Sequence, residues 1–214
     1  MTLGITTSGQ VAAAIIDGER EYAEASSKQA LDGTLPCVES ALRAAGVTLA
    51  AVRRVAVCIG PGSFTGLRIG VSFAKSLAQA RALEIVGVSA YDVAESGAGD
   101  AEYPRAAIVQ GKRDYYYARI RRERDAAYDF ISGDDAEMKE RLRDAIVFRL
   151  DAADGAEQAL RVARIGRDAG SSNADWRHVI VDYGQRPNAV INWEARRGAR
   201  QRGGGANAAN LTRE

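Results

Sequence analysis

A glycine-rich stretch, Gly60–Gly70, joins two segments with different hydropathy patterns. Val55–Ile59 before it is a continuous apolar run, which is typical of a strand buried on both faces. The residues from Gly66 to Leu83 carry apolar side chains at helical spacing. Because a buried strand that passes through a tight loop into a helix is typical of a sheet covered by helices, this unit predicts an α/β fold.

Three short apolar runs, 3–7, 11–16 and 21–25, precede this unit. Asp17-Gly18 joins the last two, and an Asp-Gly pair favours a two-residue hairpin turn. The runs therefore predict an antiparallel meander. A further strand is expected at 84–89, after the long helix.

Between the meander and the buried strand, the sequence predicts a helix. Thr34 is expected to cap it, Pro36 to lie in its first turn and Gly46 to follow its end. Its apolar stripe comprises Leu35, Val38, Leu42 and Ala45.

The second half of the chain repeats this order of elements after the glycine-rich boundary at 96–100. Strands are predicted at 106–110, 114–121, 127–131 and 146–150, and helices at 136–143 and 156–163. A duplicated βββαβα order is typical of the two-lobed actin-like fold of sugar kinases and Hsp70, whose lobes resemble ribonuclease H. We expect lobes at 1–100 and 101–192, followed by a basic, disordered tail at 193–214.

The overall composition excludes several classes of protein. Lysine plus arginine is 29 and aspartate plus glutamate is 28, a difference of +1, so no global field indicates direct binding to nucleic acid or to a membrane. The two cysteines, Cys37 and Cys58, with the single His178, cannot form a zinc site or a disulfide framework. Residues 1–16 lack the basic start and the continuous apolar region of a secretory signal. We therefore expect a cytoplasmic protein with no metal site.

Two basic regions leave alternatives open. The arginines of the tail could contact tRNA phosphates, or the tail could be solvated without a role. The run Tyr115–Tyr117 is flanked by Lys112, Arg113, Arg119, Arg121, Arg122 and Arg124. This second region predicts either an RNA contact or, more commonly, a half-buried strand with a solvated arginine edge.

The glycine-rich loop matches none of the common phosphate or nucleophile motifs. It lacks the Gly-Lys-Ser/Thr of a P-loop, and its third glycine is misplaced for a dinucleotide fingerprint. Pro61 and Thr65 occupy the glycine positions of a nucleophile elbow around Ser63. Ser63 is thus predicted to be a helix cap, and no catalytic residue is assigned. The loop residues considered for nucleotide or partner contact are Gly60, Pro61, Gly62, Ser63, Phe64, Thr65, Gly66 and Arg68.

The helix after the loop carries apolar side chains over an arc of ~200°, whereas one core-facing stripe needs little more than ~100°. It must therefore pack against two neighbours, of which the second is either a partner chain or another helix of this chain. A row of small residues, Gly66, Gly70, Ala74 and Ala78, would permit close approach. The predicted partner interface comprises Leu35, Val38, Leu42, Gly66, Gly70, Phe73, Ala74, Leu77 and Ala78.

Gly60–Gly70, which reads GPGSFTGLRIG, resembles the signature of the TsaB family, the non-catalytic subunits of the bacterial machinery that makes threonylcarbamoyladenosine on tRNA. The likeness extends through Leu35-Pro36, Ala44–Leu49 and Val55–Ile59 and on to Val88-Ser89. It continues more weakly through Tyr115–Ala118, and it covers about half of the chain.

This resemblance implies an actin-like chain that binds a paralogous catalytic subunit, TsaD, through the helices that follow the meander and the loop. TsaD transfers the threonylcarbamoyl group to adenosine 37 of tRNA, and a small ATPase, TsaE, supports turnover. We expect this chain to bind no cofactor alone, whereas ATP or ADP with magnesium is compatible with the complex. Contact with tRNA would be indirect.

The sequence departs from the family at two positions where actin-like kinases carry acids. Thr6 stands in the first strand and Gln110 at the end of the second lobe's first strand. Since magnesium prefers hard oxygen ligands, these residues argue against ATP hydrolysis. An active kinase or phosphotransferase that uses Asp17 or Asp114 from a shifted register is the first alternative. A homodimeric interaction protein is the second.

Overall fold

A computed structural model describes residues 1–97, 99, 102–111, 114–170 and 175–184. Its first sheet has the strand order β3-β2-β1-β4-β5. The strands are β1 (Thr2–Thr6), β2 (Val11–Asp17), β3 (Arg20–Ser26), β4 (Arg54–Gly60) and β5 (Glu84–Ser89). The first three are antiparallel, and β1, β4 and β5 are parallel, so the predicted meander and buried strand are confirmed.

The second sheet has the order β8-β7-β6-β9. Its strands are β6 (Arg105–Gln110), β7 (Tyr115–Arg121), β8 (Asp129–Asp134) and β9 (Ile146–Arg149). Here too an antiparallel meander is joined by a parallel strand, since β6 pairs with β9. The repeated order confirms the two-lobed actin-like fold. The lobe limits at 100 and 192 remain a prediction, and the tail at 193–214 lies outside the described residues.

The helices are α1 (Ala30–Ala44), α2 (Phe64–Arg81), α3 (Ala90–Glu95), α4 (Asp135–Arg141) and α5 (Gly155–Asp168). The sequence patterns located all of them except α3, whose six residues are too few for a periodic pattern. Ser63 caps α2, and its hydroxyl accepts a hydrogen bond from the N–H of Gly66, as predicted.

The predicted start of α1 was wrong. The helix begins at Ala30 instead of Thr34, and the Thr34 hydroxyl donates to the carbonyl of Ala30 inside the helix. Pro36 is therefore an interior residue, and its missing N–H leaves the carbonyl of Asp32 without its usual helical donor. Gly46 follows the end of the helix with a positive φ of 68°, as expected for the residue after a cap.

Helix α5, which comes from the second half of the sequence, packs on the first sheet. Side chains at both surfaces are very small: a Cβ on Gly4 of β1 would lie 2.5 Å from the carbonyl oxygen of Ala159 and 2.7 Å from the Cβ of Ala163. Alanines of β2 complete the contact, namely Ala12 and Ala14. The helix and the sheet therefore approach more closely than larger side chains would allow.

Arg54 fixes the carboxyl end of α5. Its guanidinium donates to the carbonyl oxygens of Gly166, Arg167 and Ala169 at 2.8, 2.9 and 2.8 Å. A 2.5 Å ion pair with Glu84 holds the guanidinium in place. Carbonyls that the helix leaves without an internal partner are thus satisfied by a charged donor from the first sheet.

The opposite face of the first sheet is covered by α1 and α2. Its core contains the large side chains Leu3, Ile5, Ile15, Val55 and Val57, all of them buried. The glycine loop lies at the carboxyl end of β4, at one end of this layer.

Candidate functional site

The glycine loop packs directly on the turn between β1 and β2. The Ser63 N–H donates to the carbonyl oxygen of Ser8 at 2.6 Å, and a Cβ on Gly62 would lie 2.7 Å from the same oxygen. Gly60 has a φ of 107°, in the region that favours glycine. These glycines are therefore required by the chain's own loop.

The row of small residues on α2 also faces this chain. The Thr7 hydroxyl donates to the carbonyl oxygen of Gly66 at 2.8 Å. A Cβ on Gly70 would meet the Thr7 side chain, whose Cγ2 would be only 3.0 Å away. Ala74 and Ala78 continue the row and are buried in the core.

The prediction that this row contacts a partner was wrong, because Thr7 and the first sheet already occupy the space. Val38 and Leu42 of the predicted interface are also buried in the same core, with Leu42 only 9% exposed. The residues that the structure removes from the predicted partner interface are Val38, Leu42, Gly66, Gly70, Ala74 and Ala78.

The rest of the predicted interface is accessible. Leu35 is 54% exposed, and one turn earlier Leu31, which the sequence analysis did not select, is 76% exposed. Leu31 shares the lining of one cavity with Ile69 of α2. Phe73 and Leu77 follow Ile69 at helical spacing and are half-buried. We call these residues the open face: Leu31, Leu35, Ile69, Phe73 and Leu77.

A cavity of about 280 Å³ lies beside the open face, where α1 and α2 begin. Ser63, Thr65 and Lys28 contribute polar side chains to its lining, which contains no acidic residue. The first N–H groups of a helix have no partner within the helix and carry partial positive charge. The cavity is therefore suited to an anionic group rather than to a cation. Among the loop residues, Ser63, Phe64, Thr65 and Arg68 are exposed, whereas Pro61 and Gly66 are buried.

The carboxyl ends of the central strands carry hydroxyl and thiol groups. Thr6 ends β1, and its hydroxyl lies 3.1 Å from that of Ser8. Burial raises the pKa of the neighbouring Cys58 thiol, so the thiol is neutral. Gln110 ends β6, as the sequence pattern predicted.

The two aspartates of the shifted-register alternative differ in where they lie. Asp17 ends β2, which runs antiparallel to β1, so it lies at the opposite end of the sheet from Thr6. Asp114 is exposed in the turn before β7 with a φ of 56°. Among the described residues, no group of three or more acidic, histidine or cysteine side chains is positioned to hold a metal ion.

Residues 23–142 match the family model described as TsaD: tRNA N6-adenosine threonylcarbamoyltransferase, which is more than half of the chain. The tRNA threonylcarbamoyladenosine biosynthesis protein TsaB of Escherichia coli K12 is 34% identical over 97 residues, or 44% of this chain and 42% of that protein. The chain belongs to the TsaB family.

Two further proteins are similar to this chain, one in sequence and one in structure. The tRNA N6-adenosine threonylcarbamoyltransferase of Trichlorobacter lovleyi is 46% identical over 65 residues, 30% of this chain and 19% of that enzyme. The matches thus span less than half the length of these curated relatives. YeaZ from Pseudomonas aeruginosa superposes with a TM-score of 0.64 at 20% identity over 85% of this chain and 98% of that one, which shows the same fold.

In this TsaB-family chain, the aromatic run of β7 is structural. Tyr116 and Tyr117 are buried on opposite faces of the strand, while Tyr115 is exposed. Arg119 is buried and forms ion pairs with Asp92 at 2.7 Å and Glu95 at 3.2 Å. The half-buried strand is thus confirmed for this region, and Arg119 has no free charge for RNA. Lys112 and Arg113 lie outside the described residues.

A segment at 175–183, which no sequence pattern had located, packs against a side of α2 other than the open face. Its Asp182 N–H donates to the carbonyl oxygen of Ile59 at 2.8 Å, and Val179 is buried in the core. The signal that could have located it is the alternation of Val179 and Val181 with polar or exposed neighbours. The second neighbour of α2 is thus supplied partly by this chain.

No helix in the described part of the chain combines the length and the hydropathy that a membrane-spanning segment requires.

Proposed function

We propose that this chain is a non-catalytic subunit that binds and stabilises a TsaD-like subunit for threonylcarbamoyl transfer to adenosine 37 of tRNA. The observation that carries the proposal is the open face. Leu31 and Leu35 expose large apolar side chains on a helix whose other leucine, Leu42, is covered. Contiguous exposed apolar surface of this kind marks a protein contact.

The geometry of the open face favours a helix of the partner as the occupant. Leu31 and Leu35 are one turn apart on α1, and Ile69, Phe73 and Leu77 form a second row on α2. Two rows of apolar side chains on adjacent helices form a groove that accepts the ridge of another helix. A second copy of this chain would occupy the same surface when the partner is absent.

The non-catalytic role is supported by the residues at the strand ends. Thr6 and Gln110 offer a hydroxyl and an amide where a kinase needs carboxylates for magnesium. In our proposal, ATP or ADP, magnesium and a TsaE-like ATPase act in the complex, tRNA is contacted indirectly and the setting is the cytoplasm. We expect no ATP hydrolysis by the purified chain above background. Magnesium-dependent turnover that is lost in Asp114→Asn would favour the kinase alternative.

The partner contact is tested with the double variant Leu31→Asp/Leu35→Asp. Burying two carboxylates against apolar helices is costly, so association with the TsaD-like protein of the same organism should weaken by at least ~10-fold, or about 1.4 kcal/mol. Analytical ultracentrifugation of the mixed proteins measures it. Phe130→Asp is the matched control, because Phe130 is also exposed but lies on β8 of the second sheet.

Unchanged association of the double variant would place the partner elsewhere. If the double variant abolishes self-association and leaves the TsaD-like partner bound, the open face belongs to the homodimer alternative. Threonylcarbamoyladenosine in tRNA, measured by mass spectrometry of nucleosides, should fall in cells that carry only the double variant.

A further inference from the structure

A groove of about 290 Å³ runs between α2 and the segment 175–183, on another side of α2 from the open face. The Lys75 ammonium donates to the carbonyl oxygen of Val179 at 3.1 Å and thereby bridges the two walls. With the bond from Asp182 to Ile59, this contact fixes the segment to the body of the protein. The groove is therefore a built feature of the fold.

The charged side chains that line the groove are both cations, Arg68 and Lys75. Within the described residues, neither has a carboxylate at ion-pair distance: Arg68 lies over the ring of Phe64 at 5.6 Å, and Lys75 over that of Trp176 at 5.6 Å. Lys75 uses one of its three donors on a carbonyl, so donors remain for a ligand.

Asp182 is the acid nearest to the groove in sequence, and it does not line the groove. Burial, and after it the negative charge of Asp182, raise the pKa of the Tyr91 phenol on the other side of the sheet. The same two causes raise the pKa of the Cys58 thiol. The charge of Asp182 thus acts on Tyr91 and Cys58, which both belong to the core on the other face of the sheet.

An apolar rim borders these cations. Ile180 is 72% exposed, Phe64 is 45% exposed, and the ring of Phe64 stacks on that of Tyr183 with centroids 4.6 Å apart. Large exposed apolar side chains next to cations that have no ion-pair partner among the described residues are the composition of a protein interaction site.

We propose that this groove binds an acidic segment of a partner protein. A carboxylate of that segment pairs with Arg68 and Lys75, and an adjacent apolar side chain packs on Ile180 and Tyr183. The two cations favour an acidic residue in the bound segment, and the apolar rim favours a large apolar residue next to it. This inference goes beyond the open face and does not depend on what occupies it.

An RNA ligand fits the described surface less well. Two cations neutralise few phosphates, whereas RNA binding depends on many such contacts. The rings of Phe64 and Tyr183 already stack on each other, so a base would have to displace one of them.

The test selects twelve-residue peptides from a random phage library against the full-length chain. The enriched peptides are then synthesised with a fluorescent label and titrated by anisotropy. We expect aspartate or glutamate beside a large apolar residue in the enriched sequences. Their affinity should fall about tenfold in Arg68→Gln/Lys75→Met, which keeps the aliphatic stems but removes both charges.

The matched control is Arg53→Gln/Arg81→Met, which removes the same charge from exposed positions that do not line the groove. Because Lys75→Met also removes the bond to the carbonyl of Val179, the midpoints of thermal unfolding of both double variants are compared. A tenfold loss of affinity at equal midpoints assigns the effect to binding and not to folding. Leu31→Asp/Leu35→Asp should bind the peptide normally, which separates this result from the test of the open face.

Enriched peptides without acidic residues, or with equal affinity for the two double variants, overturn the proposal. So does binding of labelled tRNA that is lost only in Arg68→Gln/Lys75→Met, because the groove would then be an RNA site.

Discussion

Leu35 and Leu42 lie two turns apart on the same side of α1, yet one is 54% exposed and the other 9% exposed. Both belong to one apolar stripe in the sequence. The difference arises because the protein core covers the carboxyl half of the stripe and leaves its amino half open. A periodic pattern thus defines the side of a helix that packs, while the length of the contact depends on the neighbouring elements.

The largest effect is expected for Gly70→Leu, which tests the buried side of α2. The new side chain would occupy the place of Thr7, so we expect a loss of more than ~3 kcal/mol of unfolding free energy in the isolated chain. Urea unfolding measures it. Gly9→Ala is the control, because nothing lies within 4 Å of a Cβ there.

A Gly70→Leu chain that remains as stable as Gly9→Ala, but fails to bind its partner, would restore the row of small residues to the interface. In a chain that carries Gly70→Ala, the further change Thr7→Ala should recover part of the lost stability, because it removes two of the three Thr7 atoms that the new Cβ would approach.

Leu42→Ala measures how much the buried half of the apolar stripe on α1 contributes to the free energy of unfolding. Removing a buried leucine leaves a cavity, so the isolated chain should lose about 2–4 kcal/mol of unfolding free energy. Chemical unfolding of the purified chain checks this. A loss below ~1 kcal/mol would mean that the carboxyl half of the stripe is open in solution.

Ser63→Ala tests the role of the hydroxyl in the loop. The Ser63 oxygen accepts from the Gly66 N–H at 3.3 Å, and loss of a helix cap costs about 0.5–1 kcal/mol. Thermal unfolding should show this small decrease, with partner binding unchanged. If the variant is fully stable but the complex that contains it no longer modifies tRNA, the hydroxyl has a direct chemical role.

Leu35→Ala should have the smallest effect on the isolated chain, within ~0.5 kcal/mol, because its side chain is already solvated. The same change should weaken association with the TsaD-like partner. The pair Leu42→Ala and Leu35→Ala therefore separates stability from binding on one helix. Equal losses of stability in the two variants would contradict the exposures described here.

The sequence predicted most of the fold because local patterns determine strands, turns and helix spacing. The hairpin between β2 and β3 and the cap at Ser63 follow from such local chemistry. The two-residue loop of the hairpin is, however, Gly18-Glu19 instead of the predicted Asp17-Gly18, because Asp17 pairs with Arg20. The direction of the small-residue row could not be predicted, since it depends on Thr7, which is distant in sequence from Gly70. The start of α1 was misplaced because Pro36 is typical of a first turn but lies inside the helix here.

The candidate site was recovered only in part. The glycine loop and Leu35 were selected, whereas Leu31 and the groove beside the segment 175–183 were not. Leu31 precedes the predicted start of α1, and the groove needs contacts between Lys75 and residues that lie beyond the second sheet in sequence. Such contacts are properties of the folded chain.

The packing of α5 on the first sheet has a consequence for biosynthesis. The alanine-rich face of β1 and β2 is covered by residues that a ribosome adds only after the whole second sheet has been translated. Arg54 likewise has to wait for the carbonyls of Gly166 and Ala169. A nascent chain that has released only its first hundred residues holds an incomplete layer, so its final folding step is deferred until the helix emerges.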